Sequence, residues 1–291
     1  MQLGKGEDIL PVFRRRLWLL LGFGVVHAVF IWSDDILTTY ALIGFLLIAF
    51  RDRAARNVLR WVIGLSLLSI LIFWGLLGLE PNLAADGIEE IARTYAQGAY
   101  LDVTVQRLED LGLVLLSIPI YLPQVLSLFL LGLLCGRYRL LEQIEIHRSL
   151  ETRILALFVG LCSHHHLHTL IVLATETGRG SSLLTGLDLV IGSPALGFAY
   201  FSGLVLLLAH TSWQRRLAPL AAVRRMALTN YLMQSVVMTL VFYGYGFSLS
   251  NRLHIGWDII LSLALFTLQM TLSTCWLKYF STVPPSGCGA A

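Results

Sequence analysis

Long apolar runs separated by short polar stretches dominate the chain from residue 15 onwards. A helix crosses the roughly 30 Å core of a membrane with about 20 apolar residues, within a range of about 17–25. The pattern therefore predicts an all-α, polytopic helical membrane protein with about eight transmembrane helices in a single membrane domain, residues 1–291. The predicted spans are residues 15–33, 36–50, 58–79, 111–135, 153–173, 187–209, 226–246 and 256–277.

The largest polar segment, residues 80–110, lies between the third and fourth predicted spans. Its apolar residues recur at helical spacing on both sides of Gly98, which predicts two short amphipathic helices that break at this glycine. Such helices lie on a membrane surface or cap a bundle. A solvated loop is the alternative.

Charge supports this interpretation. Only 13% of the residues are charged, whereas soluble domains have about 25%. With the N-terminus inside, 17 of the 21 Lys and Arg residues fall in predicted cytoplasmic segments, which predicts an N-in, C-in topology. The net charge of +3 is too small to indicate a nucleic-acid partner. The low share of charged residues makes the lipid bilayer the expected partner. The chain has no Walker motif, no GxGxxG after a strand and no GxSxG, which argues against ATP-driven transport by this chain alone. No cofactor is evident.

A histidine and two aspartates interrupt the first two apolar runs. His27 lies about 16 Å along a helix from Arg16 at about 1.5 Å per residue, toward the outer side of the membrane. There it is a candidate catalytic residue, either as a general base or as an acyl carrier, and Asp35 is a candidate for orienting it or for binding the acceptor. The alternatives are an interhelical hydrogen bond for His27 and an N-cap for Asp35.

The seventh predicted span contains amides inside an apolar helix. Asn230 and Gln234 are four residues apart and share a helix face, and Arg225 precedes them at the cytoplasmic end. They are candidates for substrate binding, with Arg225 suited to an anionic donor. Hydrogen bonding between helices is the alternative for the amides.

A histidine cluster interrupts the fifth predicted span. His164 and His168 form an HxxxH pair on one helix face, which is a workable two-ligand metal site. The alternative is a set of buried or cavity-lining histidines without metal.

Two blocks of the sequence form recognisable motifs: Arg15, Arg16, Gly24, His27, Trp32, Asp35, Ile36, Leu37, Tyr40, Ala41 and Gly44, then Arg225 to Ser235 and Phe242 to Gly246. These blocks resemble the YeiB family of bacterial multi-pass membrane proteins, which is classed under a domain of unknown function. The resemblance implies the bacterial inner membrane and adds Tyr40 to the candidate substrate-binding residues. The chain departs from the family pattern at Asp34 and Arg224. It also departs at its two ends, and the resemblance therefore implies truncation at both ends.

The family is distantly similar to transmembrane acyltransferases, which move an acyl group from a cytoplasmic acyl-thioester to an acceptor on the far side. The resemblance therefore implies an acyltransferase-like protein with an acyl-thioester as donor. The alternative is a transporter or permeation protein, in which the same polar residues and the prolines Pro119 and Pro123 line a pathway. A further alternative is an inactive truncated product.

Overall fold

The computed structural model describes residues 10–76, 85–138, 152–153, 155–159, 192–250 and 255–280. Its regular elements in these ranges are helices, and no strand occurs among them, so the predicted all-α class is confirmed. The helices named in this article are α1 (Leu10–Phe30), α2 (Ile36–Ile48), α3 (Ala55–Leu76), α4 (Ala85–Gln97), α5 (Tyr100–Arg137), α6 (Ser193–Leu208), α7 (Thr211–Arg216), α8 (Ala218–Arg225), α9 (Ala227–Phe242) and α10 (Ile255–Tyr279).

Local polar chemistry sets where several helices begin. The carboxylate of Asp35 accepts a hydrogen bond from the backbone N–H of Thr38 at 2.7 Å, which is the N-cap arrangement predicted for α2. At the start of α5, the carboxylate of Asp102 accepts a hydrogen bond from the backbone N–H of Ala99 at 3.0 Å. Prolines occupy the first turns of α6 and α8, where a missing N–H removes no helical hydrogen bond.

The segment that leads into the fourth predicted span differs from the prediction. The break at Gly98 is confirmed, because α4 ends before it and α5 begins after it. The second amphipathic helix does not end before the span, however, since α5 runs for 38 residues with Pro119 and Pro123 inside it. At about 1.5 Å per residue its length is about 57 Å, nearly twice the roughly 30 Å core of a membrane. Gly112 does not interrupt it, because an isolated glycine is tolerated within a helix.

Three of the described helices, α3, α5 and α10, are long and apolar enough to cross a membrane. Three shorter apolar helices, α2, α6 and α9, coincide with the predicted second, sixth and seventh spans. This is fewer than the eight spanning helices predicted. The first predicted span corresponds to α1, which includes Arg14, Arg15 and Arg16, and only residues 153 and 155–159 of the fifth are described. The count of eight stays a prediction.

The helices divide between two compact units. The first contains α1, most of α2, α4, the first half of α5, and α8 to α10. Within it α1 and α2 approach closely: Gly44 has so little space that a side-chain carbon there would overlap Leu17. The second contains α3, the second half of α5, α6 and α7, and there Arg137 donates hydrogen bonds to the backbone carbonyls of Phe50, Arg51 and Arg53. Residues His27 and Asp35 both belong to the first unit.

Candidate functional site

The tight turn between α1 and α2 brings His27 and Asp35 together. His27 lies in the last turn of α1, and Asp35 directly precedes α2. The Nδ1 atom of His27 is 2.9 Å from Oδ1 of Asp35, and their side chains are 1% and 2% exposed. The approach is bent, within ion-pair distance but outside the angles of a linear hydrogen bond. The two residues that are candidates for catalysis from the sequence therefore lie in contact, and both are buried.

The carboxylate of Asp35 has partners on three sides. The backbone N–H of Thr38 donates to Oδ2 at 2.7 Å, and the hydroxyl of Tyr231 on α9 donates to Oδ1 at 3.3 Å. Burial by itself raises the pKa of Asp35, but the interactions with His27 and Thr38 outweigh burial and hold this pKa below its usual value. Asp35 is therefore ionised at neutral pH. A carboxylate in contact with Nδ1 stabilises the charge that an imidazole acquires when it takes up a proton.

Gly24 permits this arrangement. A side-chain carbon at Gly24 would lie 2.5 Å from Oγ1 of Thr38 and 2.7 Å from Oδ2 of Asp35, which is closer than real carbon atoms approach. The start of α2 can therefore meet α1 only where α1 has no side chain.

The second nitrogen of the imidazole, Nε2, lacks a hydrogen bond within the described part of the chain. This atom is buried. The ring of Tyr231 lies beside the imidazole, with 5.0 Å between the ring centroids. We call the group formed by His27, Asp35 and Tyr231 the hairpin site. Tyr231 was missed by sequence reasoning, although it belongs to the second block that carries the family resemblance.

A second group that sequence reasoning missed surrounds Arg107 on α5. This residue is 0% exposed, and its guanidinium donates to the backbone carbonyl of Phe30 at 2.9 Å and to the hydroxyl of Tyr245 at 2.8 Å. Its charge lies 5.5–5.7 Å from the ring centres of Tyr100, Tyr243 and Tyr245. From the sequence, Arg107 was only one of four basic residues on the predicted outer side.

The predicted substrate-binding residues lie in different environments. Asn230 is buried between α9 and α10: its amide donates to Ser273 at 3.0 Å, and its backbone carbonyl accepts from Gln269 at 2.8 Å. This is the arrangement expected of the interhelical alternative. Gln234, Arg225 and Tyr40 are exposed instead. A role of these four residues in substrate binding stays a prediction.

The candidate metal ligands His164 and His168 lie outside the described residues. Within the described ranges, no three His, Cys, Asp or Glu side chains come together as metal ligands. The metal site therefore stays an untested prediction.

Comparison with known proteins places the chain among bacterial relatives. Residues 135–284 match a family described as Protein of unknown function (DUF418). The chain is similar to Uncharacterized protein YxaH of Bacillus subtilis, with 32% identity over 96% of this chain and 71% of the relative. It is also similar to the Uncharacterized 39.9 kDa protein in amylase 3'region of Bacillus acidopullulyticus, with 27% identity over 94% and 69%, and to Uncharacterized protein YeiB of Escherichia coli, with 26% identity over 96% and 75%. No solved structure shows significant similarity to the chain.

Proposed function

The chain belongs to the DUF418 family, which is described only as of unknown function, and we propose that it is a multi-pass protein of the bacterial inner membrane that transfers an acyl group to an acceptor on the outer side. The YeiB-like resemblance is confirmed by these relatives. The single observation that carries the proposed activity is the buried contact between His27 and Asp35, in which Nε2 of the imidazole has no partner among the described residues.

The membrane part of the proposal is supported by the outer surfaces of the helices. Large apolar side chains on three helices point away from the protein: Leu71 and Leu263 are each 63% exposed, and Leu116 is 76% exposed. Lipid is the solvent in which such surfaces are stable. We propose eight spans with both ends inside, as the distribution of Lys and Arg predicts.

Reporter fusions test this topology. A reporter placed after Gln97 is expected outside the cell, and one placed after Tyr138 is expected in the cytoplasm. If both report the same compartment, the arrangement of eight spans is wrong.

The proposed chemistry is acyl transfer with His27 as general base. Nε2 takes the proton from the hydroxyl or amine of the acceptor while the acceptor atom bonds to the carbonyl carbon of an acyl-thioester. The carbon–sulfur bond then breaks, and the proton on Nε2 passes to the leaving thiolate. Asp35 stabilises the imidazolium that forms in between. Arg225 at the end of α8 is exposed and suited to an anionic donor.

Substitution of His27 tests the activity directly. The purified protein in vesicles receives an acyl-thioester on one side and hydroxyl or amine acceptors on the other. His27→Gln is expected to lower transfer by roughly 10²–10⁴-fold, the usual contribution of general base catalysis. His210 is the matched control, because its imidazole is exposed, so His210→Gln is expected to leave transfer unchanged.

A second candidate function is proton-coupled transport. It is favoured by the enclosure of the hairpin site, because an ionisable pair buried between helices is typical of proton relays in transporters. Uptake and efflux are therefore measured on the same His27→Gln vesicles. Loss of transport with unchanged transfer favours this candidate, and the reverse favours acyl transfer. If both activities persist, His27 has a structural role.

A further inference from the structure

Arg107 is a fully buried cation that pairs with no carboxylate in the described part of the chain. It is 0% exposed. Asp110, one turn later on α5, is held by Tyr95 and Gln106 instead. Buried charges in proteins are normally paired, because an isolated charge in a low-dielectric interior is strongly destabilising. Other groups must therefore compensate this guanidinium.

The main compensation comes from the end of α1. The backbone carbonyl of Phe30, the last residue of the helix, accepts hydrogen bonds from Arg107 at 2.9 Å and from the hydroxyl of Tyr100 at 3.0 Å. Carbonyls in the last turn of a helix lack partners within the helix and carry the negative end of its dipole. Arg107 therefore caps α1 at the turn that carries His27.

Besides the ring of Tyr100, Arg107 contacts the loop that follows α9. Its guanidinium donates to Tyr245 at 2.8 Å and lies against the ring of Tyr243. The loop is docked tightly, because the N–H of Gly244 donates to the carbonyl of Tyr95 at 2.9 Å and a side-chain carbon at Gly244 would overlap the backbone of Gln97. Tyr231 precedes this loop on α9.

These contacts join Arg107 to the end of α1 and to the loop after α9, and these two helices carry two of the three residues of the hairpin site. The end of α1 carries His27, and α9 carries Tyr231, which contacts Asp35. We propose that Arg107 is a positioning residue, which holds the last turn of α1 and the end of α9 so that His27 keeps its contact with Asp35. The inference rests on the proposed function for its catalytic meaning, but the positioning itself is measurable without any activity.

The test measures how readily the imidazole of His27 reacts. Diethyl pyrocarbonate modifies accessible, unprotonated imidazoles, and mass spectrometry of the His27 peptide gives the rate. In Arg107→Gln this rate is expected to rise by about tenfold, since the loosened end of α1 opens more often. Arg93→Gln is the matched control, because Arg93 is an exposed arginine in the same predicted outer segment. His210, which is exposed, serves as the internal standard and is expected to react at the same rate in every variant.

Two milder variants keep the test decisive if Arg107→Gln does not fold. Tyr245→Phe removes one hydrogen bond from Arg107 and keeps the ring, and Arg107→Lys keeps the charge but loses the two-pronged contact. Both are expected to raise the His27 rate by about threefold at an unchanged melting temperature. An unchanged rate in both folded variants overturns the proposal.

Transfer kinetics separate this proposal from the proposed function. Arg107→Lys is expected to lower kcat with little change in KM, because the base is misplaced while the acceptor contacts remain. If His27→Gln leaves transfer intact but Tyr245→Phe still raises the His27 rate, acyl transfer is wrong and the positioning role stands. If His27→Gln abolishes transfer and the rates do not change, the positioning role is wrong.

Discussion

Two buried polar clusters in the same unit differ in how fully their groups are paired. In the cluster between α9 and α10, Asn230, Gln269 and Ser273 bond to one another or to backbone across the two helices. In the hairpin site, Nε2 of His27 has no hydrogen-bond partner among the described residues. Both clusters are buried next to apolar helices, where an unpaired polar group is costly.

The difference separates two uses of buried polarity. A cluster with mutually bonded groups fixes the register of its helices and has little capacity left for a ligand. A buried imidazole nitrogen without a hydrogen-bond partner lowers the stability of the fold, but beside an ionised carboxylate it can serve as a base. Proteins accept such a loss of stability at functional sites. We therefore expect substitutions in the α9–α10 cluster to change stability and substitutions in the hairpin site to change activity.

Asp35→Asn is expected to give the largest effect. The amide keeps an oxygen for the N–H of Thr38 but removes the charge that stabilises a protonated His27. Transfer, or transport if that is the activity, is expected to fall by roughly 10²–10⁴-fold. The assay is the vesicle assay described for His27. Asp34→Asn is the matched control, because Asp34 is the adjacent, exposed aspartate. Equal losses in both variants would remove the distinction between the two clusters.

Gly24→Ala tests the geometry of the hairpin site. The added methyl would collide with Thr38 and Asp35, which forces α1 and α2 apart. The free energy of unfolding, measured by titration with denaturing detergent, is expected to fall by about 1–3 kcal/mol. Gly22 is an ideal control, because it lies on the same helix and a side-chain carbon there meets nothing within 4 Å. Gly22→Ala is expected to be neutral or slightly stabilising.

The α9–α10 cluster is tested by a double-mutant cycle on Asn230→Ala and Ser273→Ala. Their hydrogen bond joins two helices at 3.0 Å, and such bonds in membrane proteins couple by about 0.6 kcal/mol on average. The coupling is measured from free energies of unfolding, and activity is expected to persist. The exposed Gln234→Ala is the control and is expected to have no effect. Loss of activity in Asn230→Ala at intact stability would make this cluster functional as well.

The sequence predicted more of the helices than of their contacts. Apolar run length located α2, α3 and α10 to within a few residues, and Asp35 was a candidate for orienting His27, which it contacts in the structure. Tyr231 was missed because it contacts Asp35 from 196 positions away, and helical periodicity says nothing about such pairs. Arg107 was missed for the same reason, since its partner Phe30 is 77 positions away. Helices that are apolar all round do not reveal which face meets a neighbour.

The pair Asn230 and Gln234 shows that sequence spacing does not predict burial. Asn230 and Gln234 are four residues apart and were expected to act together, yet Asn230 is buried and Gln234 is exposed. One helical turn displaces the second amide along α9, away from the place where α10 supplies Ser273 and Gln269 as partners. Spacing predicts a shared face, but only the neighbouring helix decides where on that face a side chain is buried.

Acidification is expected to give the smallest effect. The two clusters are expected to differ in how the stability of the protein depends on pH. The pKa of Asp35 is lower in the folded protein than its ordinary value, so its carboxylate stabilises the fold above pH about 4. That contribution is lost as the pH falls through the lower, folded-state pKa. Wild-type protein is therefore expected to lose more stability than Asp35→Asn between pH about 5 and pH about 3, measured by detergent titration.

The α9–α10 cluster contains no titrating side chain, so Asn230→Ala is expected to keep the full wild-type pH dependence. If Asp35→Asn and wild type lose stability in parallel, the contacts of Asp35 with His27 and Thr38 do not stabilise its charge. The hairpin site would then lack the ionised partner on which a general base at His27 depends.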